Sequence, residues 1–195
     1  MCERKKHSKP YTREALLKKE IDLSIIVAMT EKRIIGNRGE LPWKRLWSDM
    51  KRFKENTTEA GAMIMGHTTY VSILKEHNKP LPGRKHIVLT RNKFLSSQYA
   101  SVKFVHSAEE ALREVALGGG KAFVIGGGEI YKTFLLVPEV RTMLLTIVHT
   151  VQATELRGDT FFPEIGAEWN LISESPVRLW DPEDAFETSF KVYQR

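Results

Sequence analysis

KAFVIGGGEIYKTFLL (121–136) is the stretch of sequence that decides the fold. Its first half is short and apolar, which predicts a buried strand, and its second half predicts a helix. Three glycines, Gly126 to Gly128, stand at the junction. Backbone N–H groups at such a junction carry no side chains in front of them, so that an anionic group can come close. The run lacks the GxGxxG spacing of a dinucleotide fingerprint, and a tight packing turn is the alternative interpretation.

The alternation of strand and helix continues on both sides of this stretch. We expect strands over 22–29, 62–66, 86–91 and 102–105, helices over 46–57, 67–74 and 107–116, and further strands over 141–149, 169–175 and 186–195. This order predicts one α/β domain over residues 21–195: a mostly parallel twisted sheet with an antiparallel hairpin at its C-terminal edge and helices on both faces. Residues 31–44 contain glycine and proline breakers, which indicates an irregular segment.

The net charge of +6 is concentrated at one end of the chain. Residues 1–20 hold seven Lys/Arg and three Asp/Glu, a balance of +4, which leaves 23 against 21, or +2, for the other 175 residues. A basic extension on a nearly neutral body does not resemble a nucleic-acid-binding face. We therefore expect a basic N-terminal extension over 1–20, with a short helix at 11–19, and no nucleic-acid partner.

Several classes of protein are disfavoured by features that the sequence lacks. No apolar run approaches the roughly 20 residues of a membrane helix, and the charged N-terminus is unlike a signal peptide. Cys2 is the only cysteine, which favours a cytosolic protein without disulfides. There is no cluster of side chains at metal-ligand spacing and no GxSxG nucleophile motif. We expect no metal and no membrane partner, and a chain that acts as a monomer.

Asp49 is the carboxylate with the most informative position. On the predicted helix it lies three residues after Leu46 and four before Phe53, so that it borders the apolar stripe. A carboxylate facing an apolar pocket needs donors, and two parallel N–H donors of an amidine-like heterocycle would supply them. The alternative is a helix-start carboxylate that is stabilised by the helix dipole.

Two arginines flank the predicted strand over 86–91. Arg84 follows the Pro82-Gly83 turn, and Arg91 ends the strand. Ligands of α/β proteins gather at the carboxyl ends of the strands, and a guanidinium can bind a carboxylate or phosphate through two hydrogen bonds. Either arginine can equally be a solvated surface residue.

Seven segments, in a fixed order, carry a resemblance to a known family. They are IIVAMTEKRIIGNRGELPW, DMKRFKENT, IMGHTTYVSI, LPGRKHIVLTR, FVIGGGEIYKTFL, LLTIV and GDTFFP. From about residue 22 to residue 195 the chain resembles dihydrofolate reductase. The resemblance implies reduction of dihydrofolate by hydride transfer from NADPH, without a metal or a covalent intermediate, and it implies antifolate inhibitors as a further class of ligand.

The resemblance also assigns residues to the substrate. Asp49 resembles the acid that binds the pterin's amino group and ring nitrogen, Thr146 the threonine bonded to that acid, and Trp43 the tryptophan that holds a nearby water. Arg84 matches the arginine that pairs with the α-carboxylate of the folate glutamate. The other implied residues are the apolar walls around the pterin and benzoyl rings, Ile26, Val27, Leu41, Phe53 and Ile73, of which Leu41 is also assigned to the catalytic set.

A second set of residues is implied for the cofactor. Gly36 to Leu41 resembles a mobile loop that closes over the nicotinamide, with Asp159 as its partner. A cis peptide bond is expected between Gly126 and Gly127. The residues assigned to NADPH are Ala28, Ile35, Gly36, Gly66, His67, Thr68, Thr69, Thr90, Arg91, Ile125, Gly126, Gly127, Gly128, Glu129, Ile130 and Tyr131.

Three features depart from the family pattern. His67 stands where many members have arginine, which weakens an expected phosphate contact. The spacing from Trp43 to Asp49 is one residue longer than in many bacterial members, and the stretch ILKEHNKPLPGR is longer before its turn. The remaining alternatives are a reductase of the same fold that acts on another pterin or a pyrimidine, a protein that binds NADPH or folate without turnover, and a nucleic-acid-binding module built on the N-terminal extension.

Overall fold

The computed structural model of the protein describes residues 20–43, 46–150, 156–176 and 182–195. The predicted helix over 11–19 lies outside the described residues. The strands within them are β1 (Asp22–Thr30), β2 (Ile34–Gly36), β3 (Ala62–Gly66), β4 (Lys85–Leu89), β5 (Val102–Val105), β6 (Lys121–Gly126), β7 (Val140–His149), β8 (Thr160–Phe161), β9 (Asn170–Glu174) and β10 (Glu187–Gln194). The helices are α1 (Trp47–Ala60), α2 (His67–His77), α3 (Ala108–Leu117) and α4 (Gly128–Phe134).

The main sheet has the strand order β5-β4-β3-β6-β1-β7-β10-β9. Its pairings from β5 to β7 are all parallel. β10 runs antiparallel to both β7 and β9, so that the C-terminal strands form an antiparallel hairpin at one edge. The predicted α/β sheet with this edge hairpin is confirmed. The carboxyl ends of β1, β3, β4, β6 and β7 consequently lie along one side of the sheet.

Helices cover both faces of the sheet, as the sequence predicts. Because strand residues alternate between faces, Met63 and Met65 pack with residues of α1 and α2. Their neighbour Ile64 packs with residues of α3 and α4 on the other face. These three side chains are fully buried. Burial of an apolar side chain of this size contributes roughly 1.5–3 kcal/mol to the free energy of folding. Burial on both faces explains why the central strands read as continuous apolar runs.

Two helices are longer than the sequence indicates. α1 continues three residues beyond Thr57, to Ala60, and ends at Gly61, whose φ of 74° is the left-handed conformation of a helix terminus. α2 extends to His77 and ends at Asn78 with a φ of 57°. Threonine usually favours helix ends, because its hydroxyl competes for backbone hydrogen bonds. In α1 the Thr57 hydroxyl donates a 2.7 Å hydrogen bond to the Phe53 carbonyl oxygen, so that Thr57 is accommodated inside the helix.

The segment over residues 31–44 is more ordered than its glycines and proline indicate. It contains β2, which pairs antiparallel with β8 in a separate two-stranded sheet. Strands of two or three residues produce no readable alternation, and their pairing partner lies far along the chain. At the start of α3 the Ser107 side chain caps the helix by accepting from the Glu110 N–H, and the Glu110 carboxylate accepts from the N–H of His106, the residue before the N-cap. No helix of the described residues is long and apolar enough to cross a membrane.

Candidate active site

Asp49 and Thr146 meet where α1 lies against the centre of the sheet. Thr146 is buried on β7, directly opposite Ala28 of β1. Its Oγ1 donates a 2.6 Å hydrogen bond to Asp49 Oδ1. Asp49 belongs to the first turn of α1 and is half-buried as a residue. The contact places one carboxylate at the junction of β1, β7 and α1.

Burial raises the pKa of the Asp49 carboxyl above its usual value. The Thr146 hydrogen bond and the positive charge of Arg52 oppose this shift, and the negative charge of Asp184 adds to it. Arg52 lies three residues after Asp49 on α1, where helical geometry brings the two together. Its guanidinium donates to the Leu145 carbonyl oxygen at 3.4 Å and lies 4.5 Å from the centre of the Phe190 ring. The site therefore contains a carboxylate whose ionisation depends on its protein neighbours.

Two apolar clusters include residues of the elements that carry Asp49 and Thr146. Trp43 is buried against Leu46 and Val148, with Ala28 at its edge. Phe53 and Ile73 are partly buried and pack around the cluster that contains Met63, Met65, Tyr70 and Val88. Leu41, by contrast, is exposed.

The two predicted wall residues of β1 point to opposite faces of the sheet. Ile26 shares its face with Ala28 because strand residues alternate. Val27 packs in the apolar cluster that contains residues of α3 and α4, as does Ile35 of β2. Only Ile26 of this pair therefore directs its side chain to the Asp49 face.

The glycine junction after β6 forms a sharp turn. The Gly126–Gly127 peptide bond is cis, as the family resemblance implies. Gly126 has a φ of 115°, and a Cβ there would lie 3.0 Å from the Tyr131 ring, so that glycine is required. A Cβ on Gly127 would lie 3.6 Å from Thr69 Oγ1, which shows that the turn faces the start of α2. The Tyr131 hydroxyl donates to the Ile26 carbonyl oxygen at 3.0 Å and fixes α4 to β1.

The remaining predicted cofactor residues lie at the same side of the sheet. Gly66 stands opposite Leu89 at the ends of β3 and β4, so that His67 and Thr90 follow adjacent strand ends. The His67 ring is half-buried, with its centre 6.3 Å from that of Phe104. The structure further places Thr68, Arg91 and Glu129 on the surface, Thr69 and Ile125 partly buried, Gly128 next to Phe161, and Ile130 against Gly66.

Arg84 lies at the opposite end of β4, where its guanidinium is held by protein groups. Its Nη1 donates to Thr57 Oγ1 at 2.7 Å and its Nε donates to the Pro82 carbonyl oxygen at 3.1 Å. The Phe53 ring centre lies 6.0 Å from the guanidinium carbon. Burial lowers the pKa of Arg84 from its usual value. Arg84 also lines a cavity of about 540 Å³ formed by residues 79–85 and 99–101.

A buried histidine, which the sequence gives no reason to single out, organises the turn before Arg84. His86 Nε2 accepts a 3.1 Å hydrogen bond from the Leu81 N–H, and its Nδ1 lies 3.1 Å from the Arg84 carbonyl oxygen. The first contact requires an unprotonated Nε2, so the ring is neutral with its proton on Nδ1. Burial lowers the pKa of His86 to about 4.

The loop over residues 36–41 is fastened at two points. The Asp159 N–H donates to the Gly36 carbonyl oxygen at 3.1 Å, and Asp159 Oδ2 accepts from the Arg38 N–H at 2.8 Å. The hydrogen bond from the Arg38 N–H, together with one from the Thr160 hydroxyl, lowers the pKa of the Asp159 carboxyl. On the other side Lys75 Nζ of α2 lies 2.5 Å from Glu40 Oε1. Among residues 20–43, 46–150, 156–176 and 182–195, no group of three or more His, Cys, Asp or Glu is arranged to hold a metal ion.

Doubly wound α/β proteins bind ligands at the carboxyl ends of their strands. In this protein the glycine turn follows β6, and the Asp49 carboxylate is bonded to Thr146 of β7. This combination fits the class of dinucleotide-dependent oxidoreductases. Residues 22–195 match the family model described as dihydrofolate reductase. The chain belongs to the dihydrofolate reductase family, as its sequence motifs indicate.

Known relatives support this assignment over most of the chain. The dihydrofolate reductase of Staphylococcus haemolyticus is 34% identical over 177 residues, which span 90% of this chain and 96% of the relative. That of Haemophilus influenzae is 35% identical over 172 residues, 88% of this chain and 98% of the relative. The Enterococcus faecalis dihydrofolate reductase, solved in complex with NADP(H) and RAB-propyl, superposes with a TM-score of 0.73 at 32% identity, covering 89% of this chain and 96% of that one.

Proposed function

We propose that this chain catalyses the NADPH-dependent reduction of 7,8-dihydrofolate to 5,6,7,8-tetrahydrofolate. The observation that carries the proposal is the Asp49 carboxylate, which is half-buried and bonded to Thr146. Family membership supports the reaction, and the geometry supports the roles of the individual residues.

Asp49 recognises and orients the pterin. One carboxylate oxygen accepts from Thr146, which leaves lone pairs for the ring N–H and the exocyclic amine of the substrate. Two parallel charge-assisted hydrogen bonds fix both the position and the plane of the ring. The carboxylate also stabilises the positive charge that develops on the protonated pterin. Because the desolvated site favours the neutral acid, substrate binding is expected to favour ionisation of Asp49.

NADPH supplies the hydride, and the chain provides a suitable set of groups for it. The Gly126–Gly128 turn presents backbone without side chains and faces the Thr69 hydroxyl, which suits a pyrophosphate. His67 and Arg91 follow the ends of β3 and β4, a position that supports their assignment to the 2′-phosphate. Ala28 shares the face of Thr146 and is assigned to the nicotinamide side of the pterin.

Arg84 binds the other end of the substrate. Thr57 and Pro82 hold two of its nitrogens, which orients the guanidinium before a ligand arrives. A glutamate α-carboxylate is the complementary group. Phe53 and Ile73 stand between the two ends of the site, on the elements that carry Asp49 and His67, and form walls for the flat part of the substrate.

The loop over residues 36–41 excludes water from the reacting atoms. Its contacts with Asp159 and Lys75 connect it to the segment before β8 and to α2. Water delivers the proton to the ring nitrogen, and Trp43 is assigned to hold that water. Asp49 orients and polarises the ring instead of transferring the proton itself.

The test is the loss of NADPH absorbance when dihydrofolate is added to the purified chain, with and without an antifolate. We expect turnover that an antifolate abolishes. Turnover of a pyrimidine intermediate instead of dihydrofolate would assign the chain to a related reductase, and binding without turnover would make it a carrier. Measuring the molecular mass of the same preparation in solution tests the proposed monomer, since one chain has a mass of 22.4 kDa.

A further inference from the structure

The helix that carries Asp49 begins without a cap of its own. Leu46 occupies the N-cap position of α1, and no side chain at that position bonds to the helix. The first N–H groups of a helix have no partner within the helix, and serine, threonine, aspartate or asparagine usually supplies one. A leucine side chain has no hydrogen-bond acceptor, and α1 therefore needs one from elsewhere in the chain.

Asp184 supplies this acceptor from the segment that leads into β10. Its Oδ1 accepts a 3.0 Å hydrogen bond from the Ser48 N–H, and its Oδ2 accepts from the Ser48 hydroxyl. Leu46 and Asp184 also form an isolated backbone bridge. Asp184 is 3% exposed, so this carboxylate is desolvated and its position is defined by α1. A carboxylate at a helix N-terminus is further favoured by the helix dipole.

Ser48 and Asp49 are consecutive, and they anchor the first turn of α1 in two different places. Ser48 is bound to the C-terminal segment through Asp184, and Asp49 is bound to β7 through Thr146. Asp184 lies three residues before β10, which pairs directly with β7, so that the segment holding Ser48 leads into the strand next to the one holding Asp49. Loss of either anchor allows the first turn to shift relative to Thr146, and displacements of about 1 Å at a reacting centre can cost up to a hundredfold in rate.

We propose that Asp184 is a positioning residue for Asp49: through Ser48 it sets the place of the Asp49 carboxylate against Thr146. The inference rests on the proposed function, in which Asp49 binds the pterin. Asp184 acts through α1 and is assigned no contact with substrate or cofactor.

Asp184 also acts on Asp49 through charge. Within the described part of the chain, the charged and titratable groups that act on Asp49 are Arg52 from its own helix, Asp184 from the C-terminal segment and Tyr131 from α4. The negative charge of Asp184 opposes ionisation of Asp49, whereas Arg52 favours it. The two effects of Asp184, position and charge, are separable because asparagine retains an acceptor for the Ser48 N–H but carries no charge.

The experiment compares Asp184→Asn, Asp184→Ala and Ser48→Ala in the full chain. The matched control is Ser107→Ala, which removes the cap of α3, a helix outside the proposed site. Three properties are measured: kcat and KM for dihydrofolate across pH, the thermal midpoint, and the titration of the Asp49 carboxyl carbon by NMR without ligands.

We expect Asp184→Ala to lower kcat about ten- to a hundredfold, with a smaller loss in Ser48→Ala. Asp184→Asn should retain most of kcat while the Asp49 titration midpoint moves to lower pH, because a repelling charge is gone. Ser107→Ala should lower the thermal midpoint and leave kcat and the Asp49 titration unchanged.

A purely structural Asp184 would give a different result. If Asp184→Ala lowers the thermal midpoint as Ser107→Ala does, but kcat and the Asp49 titration stay at wild-type values, the proposal is overturned. If Asp184→Ala does not fold, an unchanged Asp49 titration in Asp184→Asn together with unchanged kcat in Ser48→Ala overturns it equally. If the wild-type chain does not reduce dihydrofolate, the proposed function fails, and the ligand-free titration still decides whether Asp184 controls Asp49.

Discussion

Thr146 and Asp49 are 97 positions apart in the chain, yet Thr146 Oγ1 lies 2.6 Å from Asp49 Oδ1. The hydroxyl reaches the carboxylate because Thr146 lies opposite Ala28 on the sheet face that α1 covers. Since the Thr146 hydroxyl is buried and donates to Asp49, it lowers the cost of an ionised carboxylate in this place. The pKa of Asp49 is nevertheless raised, because the cost of burial exceeds the combined effects of Thr146 and Arg52.

Asp49→Asn is expected to abolish most of the activity and to stabilise the fold. An amide lacks the negative charge that complements the protonated pterin, so turnover at neutral pH should fall by orders of magnitude. Because the pKa of Asp49 is raised in the folded protein, its ionisation costs stability, and wild type loses stability as pH rises from the usual carboxyl range through the raised pKa. The stability gain of the variant should therefore grow over that interval and then level off.

Turnover assays and chemical unfolding from pH 4 to pH 8 test both expectations on one variant. Wild-type turnover in a folded Asp49→Asn protein would refute the assignment of Asp49. A stability difference that does not change with pH would show instead that burial does not control its ionisation.

Arg84→Leu is expected to weaken dihydrofolate binding and to spare NADPH. A charge-assisted pair contributes roughly 1.5–3 kcal/mol, so the affinity should drop at least about tenfold. Thr57→Val removes the 2.7 Å contact that orients the guanidinium and should cause a smaller loss in the same direction. The informative control is a pterin that lacks the glutamate: if Arg84→Leu weakens its binding to the same extent, Arg84 is not the carboxylate partner.

His86 is expected to make the fold sensitive to mild acid. Its pKa is lowered from 6.5 to about 4 by burial, so the neutral ring is fully stabilising above pH 6.5 and stability is lost as pH falls through that interval. The free energy of unfolding should fall by about 3 kcal/mol in total. His86→Gln can retain an acceptor for the Leu81 N–H, and its free energy of unfolding should not show this decrease with falling pH. His77→Gln, at an exposed site, should show the same decrease as wild type. Unfolding free energies from pH 7 to pH 4 give the comparison, and parallel curves for wild type and His86→Gln would exclude His86 as the source.

Deletion of residues 1–20 is expected to leave catalysis nearly intact. β1 begins at Asp22, and the family match also begins there, so the proposed domain over 21–195 contains every assigned site residue. Chain termini commonly tolerate removal. Salt-dependent retention on DNA, compared between the full and shortened chains, tests whether the basic extension has a nucleic-acid partner. A large fall in turnover of a stable shortened chain would show that the extension contributes to the site.

Periodicity alone predicts the sheet and the place of Asp49 at the border of an apolar stripe. It does not identify Thr146, because a β-branched residue in a buried strand looks like ordinary core, and only the family resemblance singles it out. Asp184 and His86 are missed for a related reason: each acts on a backbone group whose partner is set by the tertiary fold. Arg52 is different, since its spacing of three residues from Asp49 on a predicted helix is a local signal that sequence analysis can use.

Selection of NADPH over NADH is expected to depend on His67 and Arg91. The 2′-phosphate needs donors, and these side chains follow the adjacent ends of β3 and β4, where Gly66 pairs with Leu89. A neutral imidazole donates at most one hydrogen bond, whereas a guanidinium offers a permanent charge and a planar set of donors. His67→Arg should therefore tighten NADPH binding, and Arg91→Ala should remove most of the preference for NADPH.

The measurement is the affinity for each cofactor without substrate, at two salt concentrations, because contacts of a charged phosphate weaken with salt. Arg141→Ala is the matched control: this exposed arginine lies at the amino end of β7, on the opposite side of the sheet from the strand ends that carry His67 and Arg91. The control should leave the ratio of the two affinities unchanged, and NADH binding should be similar in all variants because NADH lacks the phosphate. A ratio that does not respond to His67→Arg would remove His67 from the phosphate site, and one that does not respond to Arg91→Ala would place the phosphate elsewhere along this edge.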